Sequence, residues 1–489
     1  MVLAVKLVYA SCFAIVMVKA ALGQELFDVT KYSASTGGSP SENTKAFLDA
    51  WKAVCDFDGE ATLVVPEGTF QLAQVEFAGP CSGTPRVQIS GELHAPGSVD
   101  SITNDAWIDF QDLNDLVVAG GGVINGQGAE AWSKDSDNKP VAFLDAWQAV
   151  CEFNGNATLV VPTGTFQVAP LTFAGPCKPG QRKFKILGTL VAPSDGNKEH
   201  ESWIEFRELH EIVVEGGGVL NGQGANAWSQ KKKNMPISLH FIKINNGRIT
   251  NLALKDSKGF HIAIHQSVNV VIRAIDIKAP SDSPNTDGIH ISGSSHVRIT
   301  GVTIGTGDDC VSIGPGSYNI IIANVRCGPG HGISIGSLGK YQDEENVAHI
   351  KVKNCTIAGT TNGLRIKTWP GTSTTSQAYN ITFENIKLDN VSRPIIIDQE
   401  YCPNDQCNSN EPSKVKLYDI FFKHIQGTTN TPDAVTLKCS KLVPCQDVRL
   451  IDIDLKPLFS SLLNKFDSIC SNVLGLALGI QKPNPCVHH

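Results

Sequence analysis

Apolar residues alternate with polar ones through most of the second half of the chain, and many of them are β-branched. The alternation comes in units of the form N-V-x-I-x-x-I-x-I, with a base spacing of about 23 residues and longer gaps where loops are inserted. The units begin near Asn246, Asn269, His296, Asn319, His349, Asn380, Asp419 and Asp447. Alternating β-branched residues predict strands, and a repeat of this length predicts a solenoid.

We therefore expect an all-β fold, a right-handed parallel β-helix in which each coil buries its inward side chains against the next. A β-sandwich also uses many short strands, but hairpin turns should then recur about every 8–12 residues, and such turns are scarce here. Nearer the N-terminus, AFLDAWKAVC places Phe47, Trp51 and Val54 at helical spacing and predicts a short amphipathic helix.

The N-terminal part contains an internal duplication. Residues 46–133 return in diverged form at 142–229, with an offset of 96 that slips to 97 near Gly91 and Gly188. Only one copy can precede the repeats directly, and we expect the second to do so because it runs on into them. The first copy would form an appended partial solenoid, unless the sequence is a fusion of two gene segments. The predicted organisation is a segment at 24–133, a linker at 134–141 and a parallel β-helix domain at 142–489.

The net charge is −7 over 489 residues, so the chain lacks the basic balance of a nucleic-acid-binding protein. Lys6, the apolar run 7–18 and the small residues before Gln24 predict a secretory signal peptide at 1–23. No later segment is apolar enough to span a membrane.

Cysteine usage agrees with export. Of the 14 cysteines, Cys12 leaves with the signal, and the odd remainder means that at least one thiol stays free or pairs between chains. Nearness along the sequence suggests six disulfides and leaves Cys355, which we expect to be a small buried residue. The predicted pairs are Cys55–Cys81, Cys151–Cys177, Cys310–Cys327, Cys402–Cys407, Cys439–Cys445 and Cys470–Cys486. Glycosylation sequons, which also fit the secretory route, occur at Asn156, Asn354, Asn380 and Asn390.

Candidate chemistry is concentrated in four short segments: Asn285-Thr286-Asp287, Gly307-Asp308-Asp309, Gly330-His331-Gly332 and Arg365-Ile366-Lys367. Asp287 and Asp308 are 21 residues apart, and His331 follows Asp309 by 22, so each step is close to one coil. Neighbouring carboxyl groups cannot all ionise freely, and one can stay protonated as an acid. Two cations spaced two apart on a strand share a face and can hold a carboxylate-bearing sugar polymer.

In this order and spacing the four segments resemble glycoside hydrolase family 28, the polygalacturonases, from Phe27 to the C-terminus. The resemblance implies that Asp308 is the general acid, that Asp287 and Asp309 activate a water for inversion, and that His331 supports the acid. The acid and base carboxyl groups would lie roughly 6.5–9.5 Å apart. The resemblance also implies an N-terminal capping helix. The implied substrate-binding residues are Asn285, Arg365, Lys367, Tyr401 and His261, the last at the edge of the cleft.

The function implied is a secreted plant cell-wall hydrolase of α-1,4-galacturonosyl linkages in pectin, monomeric and without a cofactor or metal site. WIEFRELHEIVVEGGGVLNGQG and CGPGHGISIGSLGKY most resemble the exo-acting plant group. The partner would be polygalacturonate, and neither nucleic acid nor, after signal removal, a membrane. An endo-acting polygalacturonase, a calcium-dependent pectate lyase and a non-catalytic pectin-binding wall protein are the alternatives.

Overall fold

The chain forms two compact units, Met1–Lys139 and Pro140–His489. In the computed structural model, the residues described are 25–96, 101–102, 106–126, 141–194, 200–230, 235–371, 375–403, 407, 411–461 and 466–487. The predicted signal peptide and residues 134–140 of the predicted linker lie outside them. The roles assigned to the two copies of the duplicated segment stay a prediction.

The first unit holds a 3-10 helix at Val29–Tyr32, helix α1 at Pro40–Asp56 and strands that pair in parallel, one coil apart. Helix α1 begins at a capping box between Ser39 and Glu42, which satisfies backbone N–H groups of its first turn. The strands are β1 (Glu25–Asp28), β2 (Glu60–Val65), β3 (Thr69–Gln71), β4 (Val75–Ala78), β5 (Thr84–Ile89), β6 (Glu92–His94), β7 (Ile108–Gln111), β8 (Val117–Ala119) and β9 (Val123–Asn125).

The second unit begins with helix α2 at Val141–Glu152, whose first residue is the last residue of the predicted linker. A short helix α3 follows at Ala225–Ser229. Its strands are β10 (Ala157–Val161), β11 (Thr165–Gln167), β12 (Leu171–Ala174), β13 (Arg182–Ile186), β14 (Thr189–Val191), β15 (Ser202–Arg207), β16 (Ile212–Glu215), β17 (Val219–Asn221), β18 (Ile237–Ile242), β19 (Asn245–Lys255), β20 (Ile262–His265), β21 (Val268–Lys278), β22 (Ile289–Ser292), β23 (Arg298–Thr300), β24 (Thr303–Gly305), β25 (Val311–Ile313), β26 (Tyr318–Ala323), β27 (Arg326–Cys327), β28 (Ile333–Leu338), β29 (Val347–Ala358), β30 (Asn362–Thr368), β31 (Gln377–Val391), β32 (Arg393–Asp398), β33 (Lys416–Thr429), β34 (Asp433–Lys438), β35 (Cys445–Pro457), β36 (Asp467–Ser471) and β37 (Val473–Lys482).

These strands form two parallel sheets that run the length of the unit. The front sheet has 11 strands in the order β12-β15-β18-β20-β22-β25-β28-β30-β32-β34-β36, and the other sheet has 17. Inward residues of the front sheet stack in register: Ile262, Ile289, Val311, Ile333 and Leu364 are aligned and fully buried. The predicted right-handed parallel β-helix is confirmed.

The residues that begin the repeats sit at corners of the coils with left-handed backbone. The φ angle is 62° at Asn246, 57° at His296 and 56° at Asp419, a region that Asn, Asp and His tolerate better than most residues. A second left-handed corner, at Asn251 (φ 53°), bends β19 so that it pairs with both β16 and β17. Corner geometry thus explains why each repeat starts with one of these three residue types.

The two copies pack their helix in the same way. The indole N–H of Trp51 donates to the carbonyl of Ala78 at 3.0 Å, and that of Trp147 donates to Ala174 at the same distance. The equivalent disulfides Cys55–Cys81 and Cys151–Cys177 are both present. All six predicted disulfides are confirmed, and Cys355 is the free cysteine among the described residues.

The copies differ in what covers their last coil. Val118 and Ile124 of the first copy are 48% and 55% exposed. Their counterparts in the second copy, Val214 and Leu220, are fully buried because β19 pairs over them. The second copy therefore continues into the stack of coils, and in the first copy the apolar ends of β8 and β9 stay exposed.

Candidate active site

The four motif segments come together at one edge of the front sheet. Asp287, Asp309 and His331 each lie two residues before a strand, and those strands, β22, β25 and β28, pair in register. The three residues thus take equivalent positions on successive coils. Arg365 and Lys367 lie on the next strand, β30. The spacing read from the sequence therefore corresponds to the stacking of the coils.

A turn between β24 and β25 lets both adjacent aspartates reach this edge. A Cβ at Gly307 would collide with the carbonyl oxygen of Ser283, so the turn requires glycine there. Asp308 is 24% exposed, and its Oδ1 lies 2.9 Å from Nδ1 of His331. The same oxygen accepts the backbone N–H of Asp309 at 2.8 Å. Asp308 thus presents its carboxyl group to solvent beside an imidazole.

Asp309, in contrast, is enclosed by donors. It is 1% exposed, and its Oδ1 accepts from Ser334 Oγ at 2.7 Å and from Arg365 Nη2 at 2.8 Å, while Lys367 Nζ donates to Oδ2 at 2.7 Å. Burial opposes its ionisation, but Lys367 and Arg365 outweigh burial and hold the pKa of Asp309 below its usual value. The two cations expected to bind substrate therefore also neutralise a buried carboxylate.

Asp287 has the opposite environment. It is 6% exposed, and Ser312 Oγ donates to its Oδ2 at 2.6 Å. Burial, followed by the charges of Asp308 and Asp309, raises the pKa of Asp287 well above its usual value. Ser312 Oγ also lies 2.8 Å from His290 Nδ1. Because the hydroxyl proton goes to Asp287, His290 Nδ1 carries the hydrogen that Ser312 accepts.

Our prediction that His261 lies at the cleft edge is wrong. The side chain is completely buried, with Nδ1 3.2 Å from the carbonyl oxygen of Asp287 and Nε2 accepting the N–H of Ser257 at 3.3 Å. Burial lowers the pKa of His261 to about 4, so the ring is neutral. His261 supports the backbone of Asp287 from inside the fold, where a substrate does not reach.

The other two predicted substrate contacts lie outside the fold's interior. Asn285 is exposed, two residues before Asp287, with a left-handed φ of 54°. Tyr401 is half-buried, and its ring centre is 5.4 Å from Lys367 Nζ and 5.9 Å from Arg365 Cζ. Tyr401 thus joins the cations of the cluster, whereas Asn285 lies at the surface beside it.

The sequence model of glycosyl hydrolases family 28 matches residues 55–144 and 151–477, which include all four motif segments. The chain belongs to this family. An exopolygalacturonase of Zea mays is 43% identical over 368 residues, covering 73% of this chain and 88% of the relative. An exopolygalacturonase of Oenothera organensis is 44% identical over 354 residues, covering 71% and 97%.

A solved structure agrees with the fold of this family 28 hydrolase. The endo-xylogalacturonan hydrolase of Aspergillus tubingensis aligns with a TM-score of 0.59 at 25% identity, over 71% of this chain and 98% of that protein. Among the described residues, no helix combines the length and apolarity needed to cross a membrane.

The sequence reasoning did not identify the hydroxyl groups that orient the acids of this family 28 hydrolase. Ser312 and Ser334 pair with each other in register on β25 and β28, and Ser334 pairs with Arg365 on β30. The signal was present in the sequence, because VSIG and ISIG repeat one coil apart in it. Outward serines at that position place one hydroxyl beside Asp287 and one beside Asp309.

One group of described residues has the spacing of metal ligands. Donor atoms of Asp308, Asp309 and His331 all lie within 4.8 Å of one another. Both oxygens of Asp309, however, already face Arg365 or Lys367, whose charges repel a metal cation. The donor set fits proton transfer better than metal binding.

Proposed function

We propose that the protein is a secreted hydrolase that cleaves α-1,4-galacturonosyl linkages of polygalacturonate with inversion and releases galacturonate from a chain end. The observation that carries the proposal is the group of three carboxyl groups beside a buried Arg–Lys pair, in a chain of glycosyl hydrolases family 28. The relatives named exopolygalacturonase support the exo assignment. The disulfides support an extracellular location, since such bonds persist in oxidising compartments.

In this proposal Asp308 is the general acid that protonates the leaving oxygen. Its Oδ1 already accepts from His331 and from the N–H of Asp309, so the proton resides on Oδ2. Among the residues that the structure describes, Oδ2 has no hydrogen-bond partner, and the side chain is open to solvent. A proton on that oxygen is free to pass to a bound substrate.

Asp287 takes the proton from the attacking water. A carboxyl group with a raised pKa is a stronger base once ionised, and burial and neighbouring acids raise the pKa of Asp287. Its Oδ2 is oriented by Ser312, and Oδ1 has no partner within the described part of the chain. Asp309 is the weaker base, because both of its oxygens are bonded to cations, and its role is to hold Arg365 and Lys367 in place.

The substrate carboxylate binds beside these cations. Lys367 Nζ has three N–H groups and directs one at Asp309, so others remain for a galacturonate carboxylate. Arg365 directs Nε at Ser334 and Nη2 at Asp309, which leaves Nη1 available. Tyr401 lies against both cations and offers a ring face to the sugar. Asn285 contacts the substrate from the surface beside Asp287.

Product analysis tests the proposal. Purified protein is incubated with polygalacturonate in a chelator, beside the Asp308→Asn variant, and products are identified by mass spectrometry. Saturated galacturonate from the wild type alone supports hydrolysis through Asp308. An unsaturated product that requires calcium would establish a lyase, and binding without any product would establish a pectin-binding protein.

Two further readouts address the finer parts of the proposal. An exo enzyme releases monomer with little early loss of viscosity, whereas a rapid fall in viscosity would establish endo action. The anomeric configuration of the first product, followed by NMR, tests inversion. A retained configuration would contradict the assignment of Asp287 as the base that activates water.

A further inference from the structure

A second cluster of cationic and aromatic side chains continues outward from the site. Trp369 follows β30 directly, and its ring centre is 5.7 Å from that of Tyr401 in an edge-to-face arrangement. Lys340 Nζ lies 5.2 Å from the ring centre of Trp369 and 5.1 Å from that of Tyr341. The contacting side chains therefore form a continuous row from Lys367 through Tyr401 and Trp369 to the loop that follows β28.

This loop presents its tip in a fixed conformation. The carboxylate of Glu344 accepts the backbone N–H groups of Gly339 at 2.6 Å, Lys340 at 2.9 Å and Tyr341 at 2.8 Å. The carboxylate of Glu344 is thus bonded to the backbone of its own loop by three hydrogen bonds. They also fix the backbone that carries Lys340 and Tyr341 before any ligand arrives, which lowers the entropy that binding would cost.

The tip itself is open to solvent. Tyr341 is 64% exposed, and Lys340 is exposed and has no acidic side chain within ion-pair distance among the described residues. Lys340 lies against the rings of Tyr341 and Trp369 but has no carboxylate partner in the described part of the chain, so its charge remains available to an anionic ligand. Galacturonate matches it, because each ring carries one carboxylate and an apolar C–H face.

We propose that Lys340, Tyr341 and Trp369 form a further subsite that binds galacturonate residues of the polymer beyond those at the cleavage point. Lys340 binds a carboxylate, and the exposed ring of Tyr341 packs on a sugar face. Trp369 is only 8% exposed, and its part is to support Lys340. This inference rests on the proposed function. It predicts that the cluster matters for long substrates and not for digalacturonate, which is too short to extend past Tyr401 to the loop.

The test compares kcat/KM on digalacturonate and on a long oligogalacturonate. For Lys340→Met, which removes one exposed charged contact, and for Tyr341→Ala, which removes one packed ring, we expect a loss of about five- to tenfold on the long substrate and less than about twofold on the dimer. The matched control is Lys423→Met, which removes a lysine lying 4.6 Å over the ring of Phe421 on the other sheet. This control should leave both substrates unaffected.

The outcomes separate the two proposals. A folded wild type that releases no galacturonate from either substrate overturns the proposed function. An active wild type whose Lys340 and Tyr341 variants match it on both substrates overturns the subsite. Equal losses on both substrates also overturn it, because the side chains would then act on the catalytic cluster itself. Added salt should reduce the preference for the long substrate in the wild type and not in Lys340→Met.

Discussion

The same substitution at the two adjacent aspartates of the candidate site should lower the free energy of unfolding at Asp309 and leave it nearly unchanged at Asp308. In Asp309→Asn the new side chain keeps its shape but loses the charge and turns an NH2 group toward a cation. Arg365 and Lys367, which are 11% and 9% exposed, would then be left as buried charges without their partner. Removing one partner of a buried ion pair typically costs about 3–5 kcal/mol, so we expect a loss of this size in the free energy of unfolding at pH 7.

Asp308→Asn is the matched control. Asp308 is 24% exposed, and its two hydrogen bonds go to His331 and to the neighbouring backbone N–H, which an asparagine oxygen can still accept. We expect the free energy of unfolding to change by less than about 1 kcal/mol. Both variants should fail to release galacturonate, so activity alone does not distinguish them and stability does.

The stability difference should also depend on pH. The cations hold the pKa of Asp309 below its usual value. The contribution of Asp309 to the free energy of unfolding is therefore present above the unfolded-state pKa of about 3.9, and it is lost as pH falls through the folded-state pKa. Urea unfolding followed by tryptophan fluorescence, between pH 3 and pH 7 or so, should show the gap narrow in acid. Equal losses for the two variants, or a gap that does not change with pH, would refute this account of Asp309.

Three further predictions concern Asp287, His290 and Cys355. Burial and nearby acids raise the pKa of Asp287, so ionising this carboxyl group destabilises the folded protein as pH rises. Asp287→Asn should therefore be inactive but more stable than wild type near neutral pH. In urea titrations this gain in the free energy of unfolding should disappear below about pH 4. Because His290 orients Ser312, His290→Leu should lower kcat with little change in KM and shift the acid limb of the pH profile, and His290→Asn should restore part of kcat. Burial raises the pKa of Cys355 to about 11, so a thiol reagent at pH 8 should not modify it until the protein is unfolded.

Much of the site could be predicted because a β-helix converts sequence spacing into distance. Asp287, Asp309 and His331 follow one another in steps of 22 residues, each of which is one coil, and the strand register aligns them, with Asp308 directly beside Asp309. The left-handed corners explain why the repeats could be recognised, since Asn, Asp and His recur where the backbone demands them. The periodicity of the sequence therefore predicted both the fold and which residues lie next to each acidic group.

The periodicity of the sequence could not predict which residue each charged side chain contacts. Arg365 and Lys367 share a face of β30, as expected, but the spacing does not indicate that both donate to Asp309 on a neighbouring coil. The position of His261 at the cleft edge was implied by the family resemblance alone, and the resemblance did not indicate whether the ring points outward or inward. The ring is completely buried, and its Nδ1 lies 3.2 Å from the carbonyl oxygen of Asp287.

The second copy of the duplicated N-terminal segment is connected to the candidate site through a series of stacked coils. In a solenoid each coil contacts its immediate neighbours, so a change at one end reaches a distant site only through every coil between them. The acids lie beside β22 and β25, while the second copy ends at residue 229, before β18, and the pairing of β18, β20 and β22 is continuous. The first copy belongs to a separate compact unit with its own core. The strand register between the second copy and the acids is unbroken, so the stacked coils that position Asp287 and Asp309 are intact.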